Sequence, residues 1–245
     1  MQLRHAPRML SAMPELWKQL AARASIDLDQ PAIDKLNHYL DLLFAANATM
    51  NLTRITDRAA AEIQHVADAL TLLPFLPAGP FSLADVGSGG GVPGLPLAIV
   101  RPDARVTLIE STKKKAAFLQ SAVQQLELRN VTVLPVRAEE AGRGEQREHF
   151  DIVAARAVAT LNWLAEWCLP LTKVGGRMLA MKGPKVREEL DGSRRSVHSG
   201  GGMPPVLHPV ELPGMNELLI VEIRKTSITF DTVPRDPTTA KGRPL

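Results

Sequence analysis

The chain has 245 residues, 45% of them hydrophobic, and carries 29 Lys and Arg against 26 Asp and Glu, a formal net charge of +3. That length and apolar content suit one full α/β domain with a small appendage, and the single cysteine, Cys168, excludes an internal disulfide. No apolar run approaches the ~18 residues of a membrane-spanning helix, and six Phe, three Trp and one Tyr are too few for aromatic platforms that read single-stranded nucleic acid.

In chain order, Met1–Leu10 carries Arg4 and Arg8 but no long apolar core, so no secretory signal is expected. Residues 1–27 read as a flexible extension with one helix over Pro14–Arg23. Asp29-Gln30-Pro31 is a helix start, and Ile33, Leu36, Leu40, Leu43 and Phe44 follow at helical spacing. A polar connection, Asn47–Ile55, contains Asn51-Leu52-Thr53 and Arg54. A second helix is expected over Asp57–Leu73, with Ile63, Val66, Leu70 and Leu73 inward. These helices make a small cap over residues 28–79, ahead of a sheet domain over 80–225.

The sheet domain opens on Phe81-Ser82-Leu83-Ala84-Asp85-Val86, an apolar strand, followed by five glycines within the eight residues 87–94. Glycine permits positive φ and places no Cβ against a ligand. Pro93 suits the first turn of the next helix, whose free N–H groups welcome an anionic or polar ligand. Gly89, Gly91 and Gly94 also fit the dinucleotide spacing G-x-G-x-x-G. The second strand, Arg105–Ile109, ends in Glu110, an acid placed to accept both hydroxyls of a ribose. Nucleotide cofactors and S-adenosyl-L-methionine share that ribose, so the spacing leaves both open; a Glu110 that merely caps the following helix is the plain alternative.

A third strand over Asn130–Val136 precedes Arg137-Ala138-Glu139-Glu140, where Ala138 and Glu139 suit an adenine ring and its amino group. A fourth, Phe150–Ala157, carries Arg156 at its end; a fifth spans Gly175–Gly183, with Lys182 near its end. Asp191–Pro204, rich in glycine and proline, reads as a long mobile loop. Pro205–Leu212 and Leu218–Ile223 are separated by only five residues, too few for a parallel crossover, so they form an antiparallel hairpin. The tail over 226–245, rich in Pro and Thr, shows no periodic apolar pattern and is expected to be disordered.

A mostly parallel α/β sheet closed by an antiparallel last strand is the class I methyltransferase arrangement. The chain resembles the RsmG (GidB) family of ribosomal RNA methyltransferases in Asn51-Leu52-Thr53, in His65-Val66-Ala67-Asp68 and in the loop Asp85–Pro96. The likeness continues in Glu110-Ser111-Thr112-Lys113-Lys114-Lys115, Arg137–Glu140, Ala155–Ala159 and Met181-Lys182-Gly183. Two positions depart from the family pattern: Gln64 stands where Arg is common before the histidine, and Ala69 where Ser is common after the aspartate. The resemblance implies a Rossmann-like class I S-adenosylmethionine-dependent methyltransferase that transfers a methyl group to N7 of a guanine in 16S ribosomal RNA. It implies a cytoplasmic monomer that acts on that RNA or on the small ribosomal subunit, with no membrane partner. The cofactor set it points to is Gly87, Gly89, Val92, Glu110, Ser111, Thr112, Ala138, Glu139 and Arg156.

N7 of guanine carries a lone pair and no proton, so no general base is needed at transfer; the enzyme must hold nucleophile and methyl in line. The scattered histidines show no metal-ligand spacing, so no metal is expected. Arg156, at the end of a central strand, is the candidate catalytic residue, reaching the cofactor carboxylate or an RNA phosphate; an arginine paired with a rim acid is its plain alternative. Lys113, Lys114 and Lys115 oppose the dipole of the helix they open, which marks them, with Asn51, Arg54 and Lys182, as candidates for holding RNA. Two other functions compete: a nicotinamide-dependent oxidoreductase, favoured only by the glycine spacing, and a noncatalytic ribosome-associated factor.

Overall fold

Five apolar, β-branched segments form the parallel part of one sheet in the computed structural model, which describes residues 13–240 and 242–245. They are β1 (Ser82–Val86), β2 (Arg105–Ile109), β3 (Val131–Leu134), β4 (Phe150–Arg156) and β5 (Thr172–Lys182). β7 (Met215–Arg224) lies antiparallel on β5, and β6 (Val206–Leu212) antiparallel on β7, giving the order β3-β2-β1-β4-β5-β7-β6. The hairpin and the parallel strands stand where sequence spacing puts them. Every residue of β1 is buried, because helices cover both faces of a parallel sheet. The chain moves outward from β1 to β2 and β3 on one side and through β4 and β5 on the other. The crevice at that switch, outside the carboxyl ends of the strands, is where ligands of such sheets sit.

Helices α5 (Gly94–Val100), α6 (Lys113–Gln125), α7 (Ala138–Arg143), α8 (Leu161–Cys168) and α9 (Val186–Ser199) link the strands, and α10 (Pro237–Ala240) lies near the chain end. Ahead of the sheet come α1 (Met13–Ala22) and α2 (Gln30–Met50). Asp29 caps α2 by accepting from the Ala32 N–H at 2.9 Å, Pro31 sits in its first turn, and Asn51 ends it in a left-handed conformation. Ile33, Leu36, Leu40 and Leu43 are buried as their spacing requires, and Phe44 partly so. This face packs directly on α5 and α6, so one apolar cluster runs from Trp17 and Leu36 to Leu83 and Leu95. A second cluster, under α7, α8 and α9, fills the other face.

The helix expected over Asp57–Leu73 is broken. α3 (Arg58–Ala61), capped by Asp57, gives way to a π-helical turn, Glu62–Ala67, before α4 (Asp68–Leu70). Such turns insert a residue and recur at functional sites; this one carries Gln64 and His65.

Three expectations are corrected. Residues 13–27 are not a loose extension: Trp17 is wholly buried and donates its indole N–H to the Glu62 carbonyl at 3.0 Å. Residues 1–12 lie outside the described residues. Asp191–Ser199 is not loop but the greater part of α9. Its Ser193 and Ser196 are buried small residues that let α9 lie close on α8, and a Cβ at Gly200 would stand 2.6 Å from Leu169. Composition that reads as loop is here the signature of tight packing. The tail is not disordered over 226–240: Thr229, Val233 and Ala240 are buried. Its anchors are polar, which leaves no apolar period to find. Lys225 donates to Glu148 at 2.8 Å, the Leu169 carbonyl at 2.8 Å and Thr229 at 2.7 Å. Arg235 meets the buried Glu166 through two bonds of 2.7 Å.

Removing one partner of that last pair strands a buried charge, which costs about 3 kcal/mol or more. Arg235→Ala is therefore expected to lower the unfolding free energy by that order, read as a lower urea midpoint with an unchanged slope. A loss below about 1 kcal/mol, the range of an exposed pair, would show that Glu166 regains water when the arginine is gone.

Candidate active site

β1 ends in Asp85-Val86, and the backbone turns at once through Gly87, Gly89 and Gly91 with φ of 71°, 53° and 95°. Gly94, at the start of α5, is required for another reason: a Cβ there would stand 2.3 Å from Leu108 and 2.8 Å from the Asp85 carboxylate. Its N–H donates to Asp85 Oδ2 at 3.0 Å. Pro93 stands just before α5 rather than in its first turn. Glu110 is buried at the end of β2 and bridges two loops, accepting from the Gly89 N–H at 2.9 Å and the Thr112 N–H at 2.7 Å. A carboxylate offers about four acceptor positions, so the bond to Thr112 and a ribose can share it. From beneath, Tyr39 of α2 donates its hydroxyl to the Gly90 carbonyl at 2.9 Å, and burial raises its pKa. Val92 is buried, Ser111 and Thr112 are exposed, and Ala138 and the buried Glu139 open α7. These positions gather at the carboxyl ends of β1, β2 and β3.

Arg156 ends β4 as expected, but its guanidinium is not free. It donates to Asp68 Oδ2 at 2.8 Å, to the Gln64 carbonyl, and to His65 Nδ1 at 3.0 Å. A guanidinium only donates, so His65 Nδ1 is the acceptor and Nε2 carries the proton, which goes to Thr53 Oγ1 at 3.0 Å. Thr53 also receives the Ile55 N–H at 3.1 Å, and its own N–H donates to Asn47 Oδ1 at 2.9 Å. The end of β4, the π-helical turn and the connection 51–57 are thus tied into one network.

Burial and the neighbouring Arg156 charge push the His65 imidazole down to about 4. Burial raises Asp68, against the pull of Arg156. Burial pushes Asp85 up to about 7, opposed chiefly by the hydrogen bond from the Gly94 N–H; Ser88 Oγ donates to the Asp85 backbone carbonyl at 2.8 Å, and Oδ1 is buried without a partner among the described residues. Composition held no sign of Tyr39 as a loop anchor. Asp85 had a signal in sequence, an acid closing an otherwise apolar strand.

The cationic candidates divide. Asn51 and Arg54 are exposed on the connection above the glycine loop; Lys113 and Lys114 are exposed and Lys115 half-buried at the start of α6. Lys182, read as facing the crevice for RNA, is instead committed: its ammonium donates to the Ala159 carbonyl at 2.9 Å and pairs with Glu189 at 2.9 Å. It lies across the β1–β4 switch from the lysines of α6. A cavity of about 340 Å³ opens at the ends of β4 and β5, lined by Asp68, Arg156 and Lys182 and by apolar groups of β5 and β7. Among the described residues no cluster of His, Cys, Asp and Glu is fit to hold a metal.

Residues 32–205 match the family model described as rRNA small subunit methyltransferase G, GidB. The ribosomal RNA small subunit methyltransferase G of Roseiflexus sp. (strain RS-1) is 44% identical over 91% of this chain and 97% of that protein. The protein of the same name from Sorangium cellulosum is 47% identical over 72% of this chain and 75% of its own length. A solved precorrin-6y C5,15-methyltransferase from Geobacter metallireducens superposes with a TM-score of 0.49 at 17% identity, over 65% of this chain and 88% of that one.

The His65 shift fixes a pH dependence. The unfolded histidine, near 6.5, binds its proton before the folded one at about 4, so the contribution of the neutral imidazole to stability is full above pH 6.5 and is lost as pH falls towards 4. Asp85, raised in the folded state, acts in the opposite sense, gaining stability as pH falls from 7. The His65 contribution is isolated by difference. The gap in melting temperature between the parent and His65→Gln is expected to shrink between pH 6.5 and 4.5; a constant gap would mean that folded His65 titrates normally.

Proposed function

The chain belongs to the rRNA small subunit methyltransferase G family, and from that premise we propose which of its residues hold the cofactor, the base and the RNA. It is an S-adenosylmethionine-dependent methyltransferase of ribosomal RNA with the class I fold. The atom methylated is N7 of a guanine in 16S RNA, as the family resemblance implies.

One observation carries the residue assignment: the buried Glu110 carboxylate and the glycine turns stand on one side of the β1–β4 switch, and Arg156 with the cavity stands on the other. The residues fit the cofactor. The left-handed glycines leave backbone where a side chain would intrude, and Glu110 keeps acceptor positions for a ribose. The buried Glu110 carboxylate sets a negative field that suits a sulfonium and an ammonium, and that disfavours the pyrophosphate of a nicotinamide dinucleotide. S-adenosylmethionine supplies an electrophilic methyl group.

Gly87, Gly89 and Val92 cradle the cofactor, Glu110 holds its ribose with Ser111 and Thr112 alongside, and Ala138 and Glu139 frame its adenine. Arg156 is a positioning residue. Three of its five N–H donors hold the π-helical turn and the first residue of α4 over the strand end, and two remain for the cofactor carboxylate. Because N7 carries no proton, catalysis consists mainly of holding the reactants in line, a contribution of up to about 7–11 kcal/mol. Asn51, Arg54, Lys113, Lys114 and Lys115 hold the RNA backbone; Lys182, already paired, shapes the cavity wall. The enzyme acts as a monomer in the cytoplasm; the lone cysteine, whose buried thiol is pushed up in pKa, suits a reducing compartment. No helix among the described residues is long and apolar enough to cross a membrane.

Two measurements test this. Glu110→Ala removes charge-assisted bonds worth about 1.5–3 kcal/mol, so the S-adenosylmethionine dissociation constant is expected to rise by about ten- to a hundredfold by calorimetry, and NADH should give no heat with the parent. An unchanged constant would remove Glu110 from the ribose site. Replacing Lys113, Lys114 and Lys115 together by Ala should flatten the slope of log RNA affinity against log salt and leave cofactor affinity intact. Identical slopes would assign the three lysines to a merely solvated turn.

A further inference from the structure

The cavity at the ends of β4 and β5 has two unlike walls. Met181, Leu218, Leu219 and Ile220 make one apolar; Gln64 and Asp68, from the broken helix, make the other polar. No glycine-loop residue lines it, nor does Glu110; it adjoins the cofactor side at Arg156 and Ala157. Ala157 turns the chain there with a φ of 56°, a left-handed conformation that alanine rarely adopts.

Asp68 is the unusual member of this lining. Its side chain is only 9% exposed, and Oδ2 is taken by Arg156 at 2.8 Å. The other oxygen, Oδ1, has no hydrogen-bond partner among the described residues. Oδ1 opens onto the cavity, where a donor on a ligand can take the place of water. Enzymes that modify a base take it out of its stack, hold its faces between apolar side chains and read its Watson–Crick edge by hydrogen bonds. Of the four RNA bases, only guanine presents two adjacent donors there, N1–H and the 2-amino group. N7 lies on the opposite edge of the purine, so a base read by these donors turns N7 away from the reader.

We propose that Asp68 is the specificity-determining residue of this enzyme, its Oδ1 accepting from the N1–H and 2-amino edge of a guanine flipped into the cavity. The inference rests on the reading that guanine N7 is the methyl acceptor. Gln64, on the same wall, carries the amide donor that O6 of that guanine requires. Arg156 then plays a second part, because it takes Oδ2 and so aims Oδ1 at the base. Adenine would bring its N1 lone pair against the carboxylate, cytosine its N3 lone pair, and uracil a carbonyl where guanine has its 2-amino donor, an unmatched contact of the kind that rejects wrong substrates.

The test uses the full-length chain with S-adenosylmethionine and 16S RNA reassembled into small subunits. A ligated oligonucleotide places guanine, inosine or 7-deazaguanine at the methylated position, and single-turnover rates are measured. Inosine keeps N7 but lacks the 2-amino group, so the parent is expected to methylate it about 10- to 100-fold more slowly than guanine. Asp68→Asn should lose a similar factor on guanine, and its guanine-to-inosine ratio should collapse towards one. Equal parental rates on guanine and inosine would overturn the proposal. So would an Asp68→Asn enzyme that slows on both bases alike and keeps the parental ratio, the result expected if Asp68 only anchors Arg156. Should Asp68→Asn fail to fold by circular dichroism, Asp68→Glu, which keeps a charge for Arg156, takes its place with the same collapse expected. Transfer to 7-deazaguanine, which has no N7, would instead overturn the N7 reading itself.

Discussion

One guanidinium decides how the helical segment sits over the sheet. Arg156 closes β4, and three of its donors go to a single helical turn: the Gln64 carbonyl, His65 and Asp68. Were that turn regular, carbonyls would be consumed by their own helix; the π-helical insertion at Glu62–Ala67 is where a carbonyl reaches outward. Through His65 the tie extends to Thr53, and through Thr53 to Asn47 at the end of α2. α2 also holds the glycine loop from the other side, by Tyr39 to Gly90. Cap and loop are therefore positioned by polar bonds at two points, with apolar packing filling the space between.

The electrostatics follow from that tie. Asp85, Glu110 and Asp68 are all buried near the strand ends; Arg156 pairs with Asp68 and its charge also reaches Asp85, while Glu110 is held by Gly89 and Thr112. His65 adds no second cation, because burial and Arg156 together hold it neutral. Arg156 is paired with Asp68 and Lys182 with Glu189, so the Glu110 carboxylate leaves the crevice beside the glycine loop with a negative bias, matched to a ligand that brings positive charge of its own. In the proposed reaction, transfer of the methyl group moves that positive charge from sulfur to the base. The protein has no need to move a proton, which is consistent with a site built from positioning contacts and not from an acid–base pair.

Much of the architecture was legible because it rests on signals that are local in sequence. The strands are short β-branched runs, the loop is a glycine cluster between two apolar segments, and the connection between the last strands, five residues by sequence pattern and two in the fold, Pro213 and Gly214, excludes a crossover. What was not legible depends on partners distant in sequence. Ser193 and Ser196 read as loop residues until α8 lies against them. The tail is held by Lys225, Arg147 and Arg235 bonding to carbonyls and carboxylates about 70 to 90 positions away, and polar anchors leave no hydrophobic period. In the site, Glu110 and Arg156 were placed by their position at strand ends. The commitment of Lys182 to Glu189 and of Arg156 to Asp68 was not, since neither pairing has a sequence spacing of its own.

The network around Arg156 also explains why a reaction with so little chemistry for the protein to do is housed in such a costly site. A buried ion pair is weak support for stability, since desolvation offsets the attraction. Asp68 and Arg156 are each mostly buried, and their geometry leaves one carboxylate oxygen and two guanidinium donors over. Apolar residues of the same volume would pack the switch point more stably and leave nothing to meet a ligand. The unspent hydrogen-bonding groups are held rigid by the bonds their neighbours make, so a reactant that fills them loses little to reorganisation. The fold gives up stability at the crevice and keeps, in return, a fixed set of donors and acceptors at the end of β4.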